Sequence, residues 1–510
     1  MPPSLVLLPV LIPLAAAPVA LLLSARPRWQ AGWAVGAMAT SLVSSALLLA
    51  HVWRSGPPLV LAMGGWRAPF GIVLVGDLLS AVMVVMAQSV LLAGILYAVG
   101  SREKVVAYPT FYPLFLTLAV GLTGAFLTGD LFNLFVFAEV LVFSGAILTA
   151  NADDPYGTEA ALKYVYISLL ASAALLLAVG SLYVAYGTLN MADLAARIAA
   201  SPAGTSDQPL LGVAVALLLV TFMVKSAVFP FHFWQPDFHA AAPTAVSAML
   251  SSVVVKLGVY GFLRMTTLLF PAQRPQIAPL LVALGIVGVV YGGLSAIGTH
   301  NAKRMLAYST LAQIGFILVA IGWGTPLALA AAVIFTVNHS LVKSAMLMLA
   351  GFVASRAPVK TAAFAVVQGV GKAMPAAGAL FLVGGMALAG IPPTNGFISK
   401  MTVFRSGVEA EQWWALLLLG VASIFTLIYV TRAFMRIWWQ PPVGFTYAGK
   451  TFAADEIKAK PYGDRLLAPA LLILAVLALG LWPTPLVDLA MAVSRWLGSP
   501  APYIAAVLGS

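Results

Sequence analysis

The chain has 510 residues, of which 62% are hydrophobic and only 8% charged. A water-soluble chain of this length carries roughly 25% charged residues, so lipid must be the solvent for most of this surface. The net charge of +11 does not point to nucleic acid, because the basic residues lie between apolar runs and form no stripe with interleaved aromatics.

In chain order, the first apolar run, 5–23, has no Lys or Arg ahead of it and is followed by Arg26 and Arg28. A signal peptide carries its positive charge ahead of the run, so this one reads as a first spanning helix with its N-terminus outside. Some fourteen runs are long enough to cross the hydrocarbon core. They are 4–24, 31–53, 76–99, 110–128, 130–150, 161–186, 210–230, 241–266, 278–298, 304–322, 327–353, 375–400, 413–437 and 466–483. The remainder, 484–507, reads as an amphipathic helix at the interface. The connections 187–209 and 438–465 are long enough to hold structure of their own.

With fourteen spans, sixteen Lys and Arg fall on one face and seven on the other, out of 27. The positive-inside bias then places both termini outside and 438–465 in the cytoplasm. Lys303 and Arg304 read as a cytoplasmic flank in this tally, and Arg264 as an outer one. Asp77, Asp130, Asp153, Asp154 and Glu159 read as interfacial or loop charges.

The four basic residues left over, Lys225, Lys256, Lys343 and Lys400, lie inside spans, and Glu139 is the one acid well inside a span. A charge at the bilayer centre costs about 2.5–3.5 kcal/mol on insertion scales, so a purely structural chain would carry leucine there. Lysine can lose its proton when desolvated, and a neighbouring carboxylate opposes that loss. Such groups in a wet cavity make proton sites; the competing reading is a set of ion pairs that tie helices together.

Pro230 follows Lys225 by five residues, and Lys400 closes the stretch GIPPTNGFISK. Proline removes a backbone donor and breaks a helix, and broken helices beside buried charges are a feature of transporters. His339 and Lys343 are four apart in NHSLVKSA and share a helix face. His232, Asp237 and His239 flank the break after Lys225 and are candidates for proton access from one surface. There is no cysteine, and no HExxH or Walker-type motif is present, so no metal or cofactor chemistry is expected.

At these residues a resemblance emerges. The segment FPFHFWQPDFHAAAPTAVSAMLSSVVVKLGVYG is similar to the signature shared by proton-pumping subunits of respiratory complex I and Mrp-type multisubunit cation/proton antiporters. FYPLFLTLAVGLTGAFLTGDLFNLFVFAEVL, EAALKYVYISLLASAALLLAVGSLYVAYGTLNMADLA and GIVLVGDLLSAVM resemble the D-type antiporter subunit more closely. The resemblance implies an all-α polytopic membrane protein with two inverted five-helix repeats and broken helices 7 and 12. It divides the chain into N-terminal helices 1–3 (1–109), a first repeat (110–267), a second repeat (278–437) and a C-terminal part (438–510). It further implies a proton-translocation axis of Glu139, Lys225, Lys256, His339, Lys343 and Lys400. The implied partners are protons, Na⁺ or K⁺, and subunits of the A, B, C, E, F and G types in a prokaryotic plasma membrane. The alternative is a proton-pumping subunit of complex I or of a membrane-bound hydrogenase.

Overall fold

The computed structural model describes residues 2–151, 155–201, 209–447, 449–456 and 458–509; Asp153 and Asp154 lie outside them. Within these the chain is helical almost throughout. In lipid each backbone N–H and C=O must be satisfied inside its own segment, which an apolar helix does. The helices that matter below are α1 (Leu8–Leu22), α2 (Pro27–Ser55), α3 (Leu78–Gly100), α4 (Phe111–Leu127), α5 (Leu131–Ala150), α6 (Pro155–Tyr186), α7 (Met191–Ala200), α8 (Pro209–Lys225) and α9 (Trp234–Ala241). Next come α10 (Thr244–Leu269), α11 (Arg274–Gly298), α12 (Ala302–Trp323) and α13 (Pro326–Arg356). The last are α14 (Pro375–Ala389), α15 (Asn395–Glu409), α16 (Trp413–Phe434), α17 (Leu467–Leu481), α18 (Thr484–Leu497) and α19 (Ala501–Leu508).

Among the described residues, ten helices are long and apolar enough to cross a membrane, or eleven if the bent pair α17–α18 counts as one span. The apolar windows of α10, α12 and α13 are 100%, 94% and 94% buried, against 33% for α1 and α16. The first three therefore form the interior of the bundle, and the last two lie at its rim.

Two shorter apolar helices end at or beside a lysine. Helix α8 stops at Lys225, and Ala227 follows in a left-handed conformation (φ 52°). That region is unfavourable for a residue with a Cβ and recurs at functional sites. The chain resumes as a helix at Trp234. Helix α14 stops at Ala389, and Gly390 caps it at φ 84°. A Cβ on Gly390 would also stand 2.6 Å from Lys400 Cδ, so glycine is required by both backbone and packing. Helix α10 contains a π-helical stretch, Leu250–Val254, that ends two residues before Lys256. Such bulges are rare and favour functional positions.

One connection holds structure, as its length implies, and two other parts of the fold differ from what hydropathy implies. The connection 187–209 holds α7, capped by the Asn190 side chain. Strands Leu59–Ala62 and Val73–Gly76 form an antiparallel hairpin between α2 and α3, where hydropathy gives only a loop. The segment 484–507 is two helices; α18 turns 81° from α17 and packs on α13 and α3.

Candidate functional site

Glu139 lies in the middle of α5, half-buried, and Lys225 is the buried last residue of α8. Their closest approach is 3.8 Å. Ser172 on α6 stands between them, donating a hydrogen bond to Glu139 Oε1 and accepting one from Lys225 Nζ at 3.5 Å. Three helices thus meet at one carboxylate, one hydroxyl and one ammonium. The end of α8 is held tightly against α10, where a Cβ on Gly258 would fall 1.9 Å from Ser226 Oγ.

The next group sits at the crossing of α10 and α13. Lys256 Nζ and His339 Nδ1 are 2.5 Å apart and both fully buried. Two cations at this distance repel, so at most one of the two carries a charge at a time. One turn along α13, Lys343 Nζ donates to the Leu306 carbonyl at 3.0 Å and to Ser309 Oγ at 2.7 Å.

Lys400, on α15, reaches back across the break. Its Nζ donates to the Ala389 carbonyl at 3.0 Å and to Ser423 Oγ at 3.3 Å, and lies 5.2 Å from the Phe316 ring centroid. The carbonyl end of a half-helix is negative and an aromatic face attracts a cation, so both favour charge here. All four lysines are buried, and none offers its ammonium to lipid.

The access candidates are separated. Asp237 sits at a partly exposed ion-pair cluster with Arg304 (3.0 Å) and Lys163 (3.4 Å), the latter also paired with Glu159 at 2.6 Å. His239 points inward, fully buried, and neither ring nitrogen has a hydrogen-bond partner among the described residues. His232 is buried against Phe229 and Tyr291. Lys303, read as a flank, is also buried, its Nζ on the Ala242 carbonyl at 3.3 Å.

Two arrangements have no counterpart in the sequence reading. On the face that carries the loop before α17, Asp464 is fully buried and accepts from Tyr97 Oη (2.6 Å) and the Arg102 N–H (2.9 Å). Burial pushes its carboxyl above the usual range, and those hydrogen bonds hold it back. Glu103 nearby accepts from both the N–H and hydroxyl of Thr244, fixing the start of α10.

The second is a correction. Asp77 and Arg264 are not peripheral charges but a buried bidentate pair, with Arg264 Nη1 and Nη2 donating at 2.7 and 2.8 Å. Trp496 of α18 donates to the same carboxylate at 2.9 Å, and Tyr503 of α19 lies over the guanidinium. Asp130 is likewise buried, capping α5 at the Asn133 N–H. Asp77→Ala should cost about 3–5 kcal/mol, because it leaves an arginine buried without its partner. The check is thermal unfolding of the purified complex in detergent; a variant that melts with the wild type would mean water reaches Arg264.

The residues 128–426 match the family model described as "NADH:quinone oxidoreductase/Mrp antiporter, TM". The chain belongs to this family. It is 32% identical to the D-type subunit of the Na(+)/H(+) antiporter of Alkalihalophilus pseudofirmus over 99% of both chains. It is also 32% identical to the N-type subunit of the NADH-quinone oxidoreductase of Desulforudis audaxviator, over 94% of each. A chain in the solved structure of the Mrp complex from a Dietzia species superposes with a TM-score of 0.89 at 28% identity, covering 99% of both. The matched region begins just ahead of α5 and ends within α16, so it contains Glu139, the four buried lysines and the chain breaks after α8 and α14. It excludes the Asp77 partner of Arg264 and the C-terminal helices that clasp it.

Proposed function

We propose that this chain is the D-type subunit of a multisubunit Na⁺ or K⁺/H⁺ antiporter in a prokaryotic plasma membrane. It works as a secondary transporter subunit, not an enzyme, alongside subunits of the A, B, C, E, F and G types. Protons move along a mid-membrane row of Glu139, Lys225, Lys256, His339, Lys343 and Lys400. His232 and His239 serve access from one face, and Asp237 lies at its mouth. The observation that carries this reading is the set of four buried lysines, of which only Lys225 has a carboxylate partner, Glu139, among the described residues. Ion pairs that only tied helices together would come with matching acids.

The finer architecture follows from the same reading. Adding the three shorter apolar helices, α4, α8 and α14, to the ten spans and the bent pair gives fourteen crossings. Both termini then lie outside, with helices 1–3 in 1–109, inverted repeats in 110–267 and 278–437, and a C-terminal part in 438–510. A matched pair of backbone bridges supports the repeat. At the start of α5, the Leu131 N–H donates to Leu189 O and the Met191 N–H to Gly129 O. At the start of α12, the Ala302 N–H donates to Ala362 O and the Phe364 N–H to His300 O in the same pattern. These are the fifth and tenth crossings, so the two bridges face opposite sides of the membrane.

The test is transport by the whole complex, produced with its neighbouring subunits in cells lacking other antiporters. A Na⁺ or K⁺ pulse to everted vesicles should collapse a preformed pH gradient. Lys256→Ala, which leaves His339 without its partner, should lower that rate at least about tenfold, proton transfer by a positioned group contributing 10²–10⁴. A pH gradient that answers neither cation, but forms on addition of a redox donor, would establish the alternative, a pumping subunit of a complex I or hydrogenase type. The 32% identity to an NADH-quinone oxidoreductase subunit is what favours that second reading.

A further inference from the structure

Among the described residues neither Lys343 nor Lys400 has a carboxylate partner, yet the space between them is not apolar. Ser309 Oγ, which accepts from Lys343 Nζ at 2.7 Å, is itself 2.7 Å from the hydroxyl of Tyr429. Tyr429 is on α16 and fully buried. Thr426, on the same helix, and Gln313, on α12, flank its phenol. Both are buried, and the Gln313 amide nitrogen has no hydrogen-bond partner among the described residues. One turn before Thr426 lies Ser423, whose Oγ accepts from Lys400 Nζ at 3.3 Å. Residues three apart on a helix are about 5–6 Å apart, a gap one water can bridge.

We infer that Ser309 and Tyr429 are the relay that carries a proton between Lys343 and Lys400, an inference that rests on the transport reading above. The geometry supplies what a relay needs. A hydroxyl can accept and donate at once, and Ser309 and Tyr429 form a continuous pair that starts on an ammonium. In the transfer, the Lys343 ammonium gives a proton to Ser309 Oγ while Ser309 passes its own hydroxyl hydrogen to Tyr429 Oη. Tyr429 releases its phenol hydrogen towards Thr426 and Ser423, and the proton arrives on the neutral amine of Lys400. One proton leaves Lys343 and one reaches Lys400. Each hydroxyl ends neutral and turned round, and rotation resets it for the next transfer.

A competing role for the pair is adhesion, since a hydroxyl-to-hydroxyl bond between α12 and α16 also holds two helices together. The two roles give different results. In everted vesicles carrying the whole complex, Tyr429→Phe should lower exchange about tenfold or more with assembly intact on a native gel. Ser309→Ala should do the same, and Ser309→Thr, which keeps the hydroxyl, should recover most of the rate. Incorporation of 3,5-difluorotyrosine at position 429 should restore exchange with its pH–rate profile displaced towards lower pH, following the more acidic phenol.

Wild-type exchange by an assembled Tyr429→Phe complex overturns the relay. So does a Ser309→Thr variant as slow as Ser309→Ala, or a difluorotyrosine complex whose pH profile does not move. Lys343→Ala and Lys400→Ala are the controls for the underlying reading. If those two also exchange normally, it is the transport reading that fails; if they are inactive while Tyr429→Phe is not, the relay alone fails.

Discussion

Glu139→Ala and Lys225→Ala each reduce cation/proton exchange about 100-fold or more, the scale expected when a positioned proton-transfer group is deleted. Each leaves the other charge in a low-dielectric site with only the Ser172 hydroxyl for company. Some loss of assembly is therefore expected in the single variants, since breaking a buried pair is worse than lacking one. The double variant, Glu139→Ala with Lys225→Ala, separates the two effects. It removes both charges, so assembly recovers. Exchange stays absent if the pair handles protons and returns if the pair only joins α5 to α8. Vesicle exchange rates normalised to complex on a native gel give the answer directly.

Lys400→Arg is nearly as inactive as Lys400→Ala. Arginine keeps the positive charge and can still donate to the Ala389 carbonyl and Ser423, but it does not release its proton in a protein. A site that needed only a cation at the end of α14 would accept it. A site that must alternate between ammonium and amine would not. Lys400→Gln, smaller and uncharged, gives the rate with neither a cation nor a proton carrier at the site, and assembly of the arginine variant on a native gel shows that its side chain is accommodated. Substantial exchange by the arginine variant would make Lys400 a fixed electrostatic element, and the relay from Lys343 would then have no terminus.

The spans were legible because lipid imposes a simple rule: about 20 apolar residues per crossing, visible in any window of the chain. The lysines were legible for the converse reason, as charges inside such windows. The breaks after Lys225 and before Lys400 were marked by Pro230, Pro392 and Pro393. What stayed hidden has no such contrast. Asp77 and Arg264 each lie near the end of an apolar run, where charge is ordinary, and only the fold brings them together. Lys303 looked like a flank because Arg304 beside it is one. Ser309 and Tyr429 are unremarkable in a membrane helix, and their meaning lies in a 2.7 Å contact between chain segments 120 residues apart. The β-hairpin between α2 and α3 was masked by Gly and Pro residues that read as loop.

The Asp77–Arg264 pair also sets a timetable for biosynthesis. The two residues are 187 positions apart, and ribosomes add about 5–20 residues per second. Roughly 10–40 seconds therefore separate the emergence of Asp77 from that of its arginine. Throughout that interval the carboxylate at the start of α3 has no arginine to pair with, while the helices α4 to α9 are made. Trp496 closes over the pair only once α18 has been made. The pair is therefore completed only late in synthesis, and α18 and α19, which follow α17, are the helices that close over it.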